Sequence, residues 1–306
     1  MPTRHALVPS EEGLELLGPP PDGVEVTVWE PADDPPPQAA EAGFWVPQYL
    51  AGAVLTEQLD ALPALQVIQL LTAGAEAFVG RLPDGVLLCD ARGVHGSSTS
   101  EWAMMVILAS LRELPGFVLD QPRHRWNRHF TGELAGSRVL VVGAGDVGES
   151  LRRRLLPFDV TVTMVARRAR EDAHGVAELP ELLPDADVVV VVVPLTPDTR
   201  GLVDARFLAR MRDGALLVNG SRGPIADTAA LLAELRSGRL RAALDVTDPE
   251  PLPADHPLWD APGLLLTPHV GGAVAGFPRR AYALVREQLG RWARDEPLAN
   301  VVSDGY

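Results

Sequence analysis

The chain contains no lysine. All 27 of its Lys and Arg residues are arginine, set against 41 Asp and Glu, so the formal net charge is -14 at pH 7. Without a lysine amine, Schiff-base chemistry on lysine is excluded. The acidity argues against nucleic-acid partners, which are bound through basic patches that release counterions. It argues equally against anionic membrane surfaces. Cysteine is almost absent too. Cys89, the single one, lies in the apolar run Val86–Cys89, offers neither a disulfide framework nor a metal cluster, and reads as a buried thiol. Long apolar stretches are also missing. The longest, Ala103–Ala109 and Val188–Val193, fall well short of the ~20 residues of a membrane span. Met1–Leu7 lacks the apolar core of a signal peptide, so a cytoplasmic location is expected. What is present, 46% hydrophobic and 22% charged residues over 306, is the composition of an ordinary globular chain with room for about two domains.

From residue 138 onward the pattern is regular. Apolar runs at Val139–Val142, Val160–Val165, Val188–Val193, Ala215–Val218, Ala242–Leu244 and Leu264–Leu266 alternate with helical stretches such as Leu151–Leu156, Leu202–Met211 and Asp227–Arg236, the last closed by Gly238. Near-continuous apolar strands of this kind are buried on both faces, which predicts an α/β, doubly wound parallel sheet of the nucleotide-binding type. The first ~97 residues repeat the alternation less cleanly, with strands expected at Ala6–Val8, Val24–Trp29, Phe44–Val46, Leu65–Leu70 and Val86–Cys89 and a loop at Pro31–Pro37. They read as a smaller α/β domain. A long apolar helix is expected over Ser98–Leu114, capped by Thr99 or Ser100, and a last one over Arg279–Ala293, returning Leu298–Val302 to the first domain. The expected division is residues 1–97 with 285–306 for the small domain and 98–284 for the nucleotide domain.

Val139-Leu140-Val141-Val142-Gly143-Ala144-Gly145-Asp146-Val147-Gly148 spells strand, tight turn, helix. Gly143 permits the turn, Gly145 admits a pyrophosphate to the backbone, and Gly148 lets the helix pack on the strand. The helix start, at Asp146 and Val147, offers N–H groups and a positive dipole end to phosphates. Asp146 itself puts a negative side chain there and is expected to turn to solvent. A carboxylate about 20 residues further on would bind a ribose 2′-hydroxyl. The second strand instead ends in Ala166-Arg167-Arg168, with Arg170 close behind. Guanidiniums pair with a 2′-phosphate, so NADP(H) is expected to be preferred and NAD(H) possible.

Arg222, Glu250 and His269 each fall just past the end of a predicted strand downstream of that motif. A 2-keto acid presents a carboxylate beside a ketone. Arg222 has the planar fork to hold both, His269 can give the ketone oxygen a proton as hydride arrives, and Glu250 can fix the imidazole tautomer. The segments around them, Val193-Pro194-Leu195-Thr196-Pro197-Asp198-Thr199-Arg200-Gly201-Leu202, Leu217-Val218-Asn219-Gly220-Ser221-Arg222-Gly223, Ala243-Leu244-Asp245-Val246 and Thr267-Pro268-His269-Val270-Gly271-Gly272, resemble the D-isomer-specific 2-hydroxyacid dehydrogenase family, strongly from about residue 90 to 272.

The resemblance implies that Asp245 meets the nicotinamide carboxamide and that Gly272 belongs to the cofactor site. Val193 and Pro194 would lie near the adenine and Thr199 near the phosphates. In the small domain, Thr72-Ala73-Gly74-Ala75 resembles the substrate-carboxylate loop, with the N–H groups around Ala73 and Gly74 binding the acid. Trp45 either lines the pocket or is core. Trp126 matches a position that reaches the partner subunit's site in glyoxylate/hydroxypyruvate reductases, which implies a homodimer. Two positions depart from the pattern: Ala273 stands where Ser or Thr is frequent, and Trp102 where His is frequent. The reading that results is an NAD(P)-dependent reductase of a small 2-keto acid such as glyoxylate or hydroxypyruvate. Formate dehydrogenase shares the Arg and His, but resembles the family with Gln in place of the acid at Glu250. A nucleotide-sensing scaffold like the family's corepressors would retain all three residues.

Overall fold

The computed structural model describes residues 3–30, 32–49 and 58–302. The chain divides into two units, one formed by Met1–His95 with Ala275–Tyr306 and the other by Gly96–Val274. Among the described residues, no single helix is long and apolar enough to cross a membrane.

The first unit is a five-stranded parallel sheet of β1 (Arg4–Val8), β2 (Val24–Val28), β3 (Ala42–Trp45), β4 (Val67–Gln69) and β5 (Leu87–Cys89). Their order is β2-β1-β3-β4-β5, the flavodoxin-like order. Helix α1 (Glu11–Leu17), absent from the sequence expectation, starts where the Ser10 hydroxyl accepts the Gly13 N–H at 3.1 Å. The C-terminal helix, α8 (Phe277–Ala293), buries Phe277, Ala281, Val285 and Leu289 in the core formed by Val8, Phe44 and Val67. Residue 285, the expected boundary, thus lies inside a helix that belongs wholly to this unit, and the chain re-enters the unit at Ala275. Past α8, Val301 bridges Cys89 antiparallel and the Val302 N–H donates to the Leu88 carbonyl, so Leu298–Val302 does return to this sheet.

The second unit holds seven parallel strands: β6 (Arg138–Val142), β7 (Thr161–Ala166), β8 (His174–Gly175), β9 (Val188–Val191), β10 (Leu216–Asn219), β11 (Arg241–Leu244) and β12 (Leu264–Leu266). The order is β12-β11-β10-β9-β6-β7-β8. Counted within the unit this is the doubly wound 3-2-1-4-5-6 order with one strand added, and its switch point lies between β6 and β9. Side chains alternate between the two faces as strand geometry requires. Leu140, Val142, Val189, Val191 and Leu217 join one core; Val139, Val141, Val188, Val190 and Val218 join the other. The two-residue edge strand β8 carries too little apolar pattern to be read from sequence.

Helices α2 (Gly96–Leu111), α3 (Leu114–Asp120), α4 (Asp146–Leu155), α5 (Leu179–Leu182), α6 (Ala205–Arg210) and α7 (Thr228–Arg236) complete the unit. Aspartates cap α6 and α7: Asp204 accepts from the Phe207 N–H, and Asp227 from those of Ala229 and Ala230. Helix α2 begins at Gly96, before the expected Thr99 or Ser100 cap. Both residues are buried within the helix, and the Ser100 hydroxyl bonds back to the Gly96 carbonyl at 2.6 Å. Helix α4 starts at Asp146 rather than Leu151, directly out of the glycine turn.

Candidate active site

At the end of β6 the three glycines do different things. Gly143 has φ +119°, and a β-carbon there would lie 2.5 Å from the Val192 carbonyl oxygen. At Gly148 a β-carbon would meet the Gly143 oxygen at 1.8 Å, so only glycine lets α4 close on the turn. Around Gly145 a β-carbon would meet nothing within 4 Å, and this residue starts α4 without a side-chain cap. An open shelf at the N-terminus of a ten-residue helix fits a dinucleotide pyrophosphate. Asp146 is exposed, yet its carboxylate does not simply turn to solvent: it lies against Gly96, the first residue of α2, where a β-carbon would come within 2.3–2.5 Å of it. A carboxylate at a helix start complements the dipole there.

Past β7, Arg167 pairs with Asp198 at 3.0 Å, and both side chains are exposed. Arg168 is exposed as well. Arg170 reaches the glycine turn. Its Nη2 donates to the Ala144 carbonyl at 3.1 Å while Nε donates to Asp172 at 2.7 Å. After β9, the Thr199 hydroxyl donates to the Pro194 carbonyl and accepts from the Thr196 N–H, which closes the Pro194–Thr199 loop on itself. The Val193 N–H donates to Ser221 Oγ, whose own proton goes to the Val191 carbonyl, so Ser221 ties the end of β9 to the end of β10.

Arg222 follows β10 with extended backbone, and its Nη1 donates to the Ser221 carbonyl at 2.7 Å. Asn219, buried, accepts the Ser221 N–H and donates to the Arg222 carbonyl, fixing the loop from below. Gly223 lies so close to the Thr247 carbonyl that a β-carbon would sit 1.9 Å from it, and this backbone contact joins the Arg222 loop to the loop that carries Glu250. Glu250 Oε1 meets His269 Nδ1 at 2.6 Å, the two side chains being 40% and 28% exposed. A carboxylate at that distance holds the proton on Nδ1, leaving Nε2 to carry or accept the transferable one.

His269 itself is in the left-handed region, φ +54°. Asp245 holds it there. The Asp245 carbonyl accepts the His269 N–H at 2.7 Å; one carboxylate oxygen accepts from the Thr267 hydroxyl and the Val270 N–H, and the other from the Gly271 N–H. Three donors therefore occupy the buried carboxylate that the resemblance assigns to a carboxamide. Gly272 lies in the same loop, its carbonyl accepting from Val274 N–H. Thr267, Asn219 and Ser221 were not singled out in the sequence, although each sits inside a motif that was.

Four loops, after β6, β10, β11 and β12, thus present the glycine turn, Arg222, Glu250 and His269 at the carboxyl ends of parallel strands of one sheet, where open α/β sheets bind ligands. In the same unit, Trp126 is 95% exposed, on a segment with the fully exposed Phe130. In the first unit, Ala73 and Gly74 follow β4 in a turn closed by the Thr72 hydroxyl, which donates to the Gly74 carbonyl at 2.7 Å. Trp45 is core rather than pocket lining: it is 2% exposed, packs with Leu7 and Ile68, and has the Trp29 ring 6.1 Å away. His95 is a buried core histidine, its Nε2 2.9 Å from the Leu71 carbonyl oxygen and its ring stacked on Phe277.

The chain is similar to known proteins in sequence and fold. The chain is 34% identical over 269 residues to a glyoxylate reductase/hydroxypyruvate reductase of Mus musculus, covering 81% of this chain and 82% of that protein. It is 33% identical over 252 residues to the D-3-phosphoglycerate dehydrogenase of Mycobacterium bovis, covering 78% of this chain but 47% of that protein, so it spans about half the length of that relative. The structure of a D-isomer specific 2-hydroxyacid dehydrogenase from Xanthobacter autotrophicus Py2, in complex with NADPH and MES, superposes over 100% of both chains with a TM-score of 0.86 at 30% identity. Residues 104–271, more than half of the chain, match the family described as D-isomer specific 2-hydroxyacid dehydrogenase, NAD binding domain, and the chain belongs to that family.

Proposed function

We propose that the protein is an NAD(P)-dependent oxidoreductase that reduces a small 2-keto acid, such as glyoxylate or hydroxypyruvate, to the D-2-hydroxy acid. The observation that carries this reading is the His269–Glu250 pair at 2.6 Å, in the same row of strand-end loops as Arg222 and the glycine turn. A bound nicotinamide dinucleotide supplies the hydride. Gly143, Gly145 and the start of α4 hold its pyrophosphate. Arg222 binds the substrate carboxylate and polarises the ketone through its guanidinium fork. His269 delivers the Nε2 proton to the ketone oxygen, and Glu250 stabilises the imidazolium and keeps the ring oriented. In the reverse direction His269 accepts the hydroxyl proton. Ala73 and Gly74 are proposed to hold the acid through backbone N–H groups. Glu250, an acid hydrogen-bonded to the imidazole, favours this chemistry over formate oxidation, which needs no proton donor.

NADP(H) is the proposed preference, supported by the arginines after β7, by the absence of a carboxylate at the end of that strand, and by the NADPH in the Xanthobacter structure. The exposed Trp126, Phe130, Val118 and Leu119 support a homodimer built on the segment after α2; sedimentation equilibrium showing a monomer at micromolar concentration would overturn it. The main test is oxidation of NADPH and NADH, separately, against glyoxylate, hydroxypyruvate and phosphohydroxypyruvate. Turnover with NADPH favoured is expected. Arg222→Ala and His269→Gln should each cost at least ~100-fold in kcat/KM, with cofactor binding by His269→Gln unchanged. No turnover with any acid, despite tight cofactor binding, would sink the reading in favour of a nucleotide sensor.

A further inference from the structure

The indole of Trp102 touches both catalytic loops of the second unit. Trp102 projects from α2 and is 5% exposed. A β-carbon built on Gly220 would lie 2.9 Å from the indole Cζ3, and one built on Gly271 would lie 3.4 Å from its Cγ. Gly220 precedes Ser221-Arg222; Gly271 follows His269-Val270. The ring is therefore the spacer between the loop that carries the guanidinium and the loop that carries the imidazole; Gly220 makes room for it on one side, while on the other Gly271 makes room for the Asp245 carboxylate and lies in contact with the ring. Its polar edge is used as well. Indole Nε1 donates to the Thr267 hydroxyl at 2.9 Å, and that hydroxyl donates to Asp245 Oδ1 at 2.6 Å. Asp245 in turn takes the N–H groups of Val270 and Gly271 and, through its carbonyl, that of His269.

We infer that Trp102 is a positioning residue for the reduction, setting the separation of Arg222 from His269 by its ring and the orientation of the His269 loop by the relay Trp102–Thr267–Asp245. The inference rests on the proposed reductase reading. It follows from two demands on one site. A histidine at φ +54° is not held by its own backbone preference, so the surrounding hydrogen bonds must over-determine it. The direction of every bond is fixed as well: the indole N–H can only donate and the Asp245 carboxylate only accept, so the Thr267 hydroxyl accepts from the one and donates to the other. A histidine at position 102 has a smaller ring, so the loops are expected to settle closer together.

Trp102→Phe deletes the indole N–H and shortens the ring, so it removes the donor and part of the spacer together. It is expected to lower kcat at least roughly fivefold, the scale of one net hydrogen bond, while NADPH Kd holds. Thr267→Val should lower kcat at least as far, and Thr267→Ser should restore it to within about twofold, since the hydroxyl is what the relay needs. The double variant Trp102→Phe/Thr267→Val should be slowed by less than the product of the two single losses, because both substitutions remove the same Trp102–Thr267 bond. Two readouts are independent of turnover. In protein labelled with ¹⁵N at the indole nitrogens, the Trp102 resonance, identified by its loss in Trp102→Phe, should shift in Thr267→Val. Oxamate, a non-reducible stand-in for the keto acid, should shift it in the wild type. Trp102→Phe at wild-type kcat, losses that multiply in the double variant, or an indole resonance indifferent to Thr267→Val would each overturn the inference. If the wild type reduces no keto acid, the reductase reading fails, and the Thr267→Val shift still decides whether the relay exists.

Discussion

At the scale of single residues, chemistry is assigned by neighbours more than by identity. Arg167, Arg168 and Arg170 look alike in the sequence, yet Arg170 donates to the Ala144 carbonyl, while Arg167 pairs with Asp198 in an exposed contact worth little in water. Arg170→Ala should therefore raise KM for NADPH by roughly tenfold, the scale of one charge-assisted contact, and leave KM for NADH nearly unchanged. Steady-state kinetics with each cofactor checks it, and an equal effect on both would move the 2′-phosphate site to Arg167 or Arg168. Cys89 shows the opposite case. Burial, with Asp90 next to it, pushes its thiol up to about 12, so no thiolate is available at neutral pH. A thiol reagent at pH 8 should leave the folded protein unlabelled and take up one equivalent in denaturant.

At the scale of elements, the strands with long apolar runs were legible within a residue or two, because a strand buried on both faces needs a run that serves both cores, as Val188–Val191 does. The same logic hid β8 and the true start of α2. A two-residue edge strand has almost no face to bury, and the serines at the start of α2 look like caps although they are inside the helix. In the site, the chemistry-bearing Arg222, Glu250 and His269 could be read because strand ends are where such residues collect. Three of their supports, Ser221, Thr267 and Trp102, could not, because each acts through a hydrogen bond to a chain-distant atom, whereas Asn219 bonds within its own turn. Helix α7 shows how a local rule becomes stability. Asp227→Ala removes the acceptor for two N–H groups and should cost about 1 kcal/mol, measured by denaturant midpoint at constant slope. A change below the error of the fit would mean that water replaces the cap fully.

At the scale of the whole molecule, the two units should respond differently to alkali. The first contains both the Cys89 thiol and the Tyr282 phenol, each pushed by burial to about 12, from 9.0 and 10.0. Folded, each keeps its proton where the unfolded chain would release it. Their contribution to stability is thus intact below pH 9 and falls as pH rises toward 12. Hydrogen exchange followed between pH 8 and 11 should show β5 and α8 losing protection before the strands of the seven-stranded sheet. Uniform loss would show that these two protons do not govern it. His269 carries a consequence of another kind. The left-handed backbone at that position costs an ordinary side chain of order 1 kcal/mol, whereas asparagine is at ease there and its side-chain amide can still donate to Glu250. His269→Asn is therefore expected to melt no lower than the native protein while reducing nothing. The residue that makes the molecule useful is one that its own fold would exchange at no loss, so selection for thermostability alone would drift toward an inert protein.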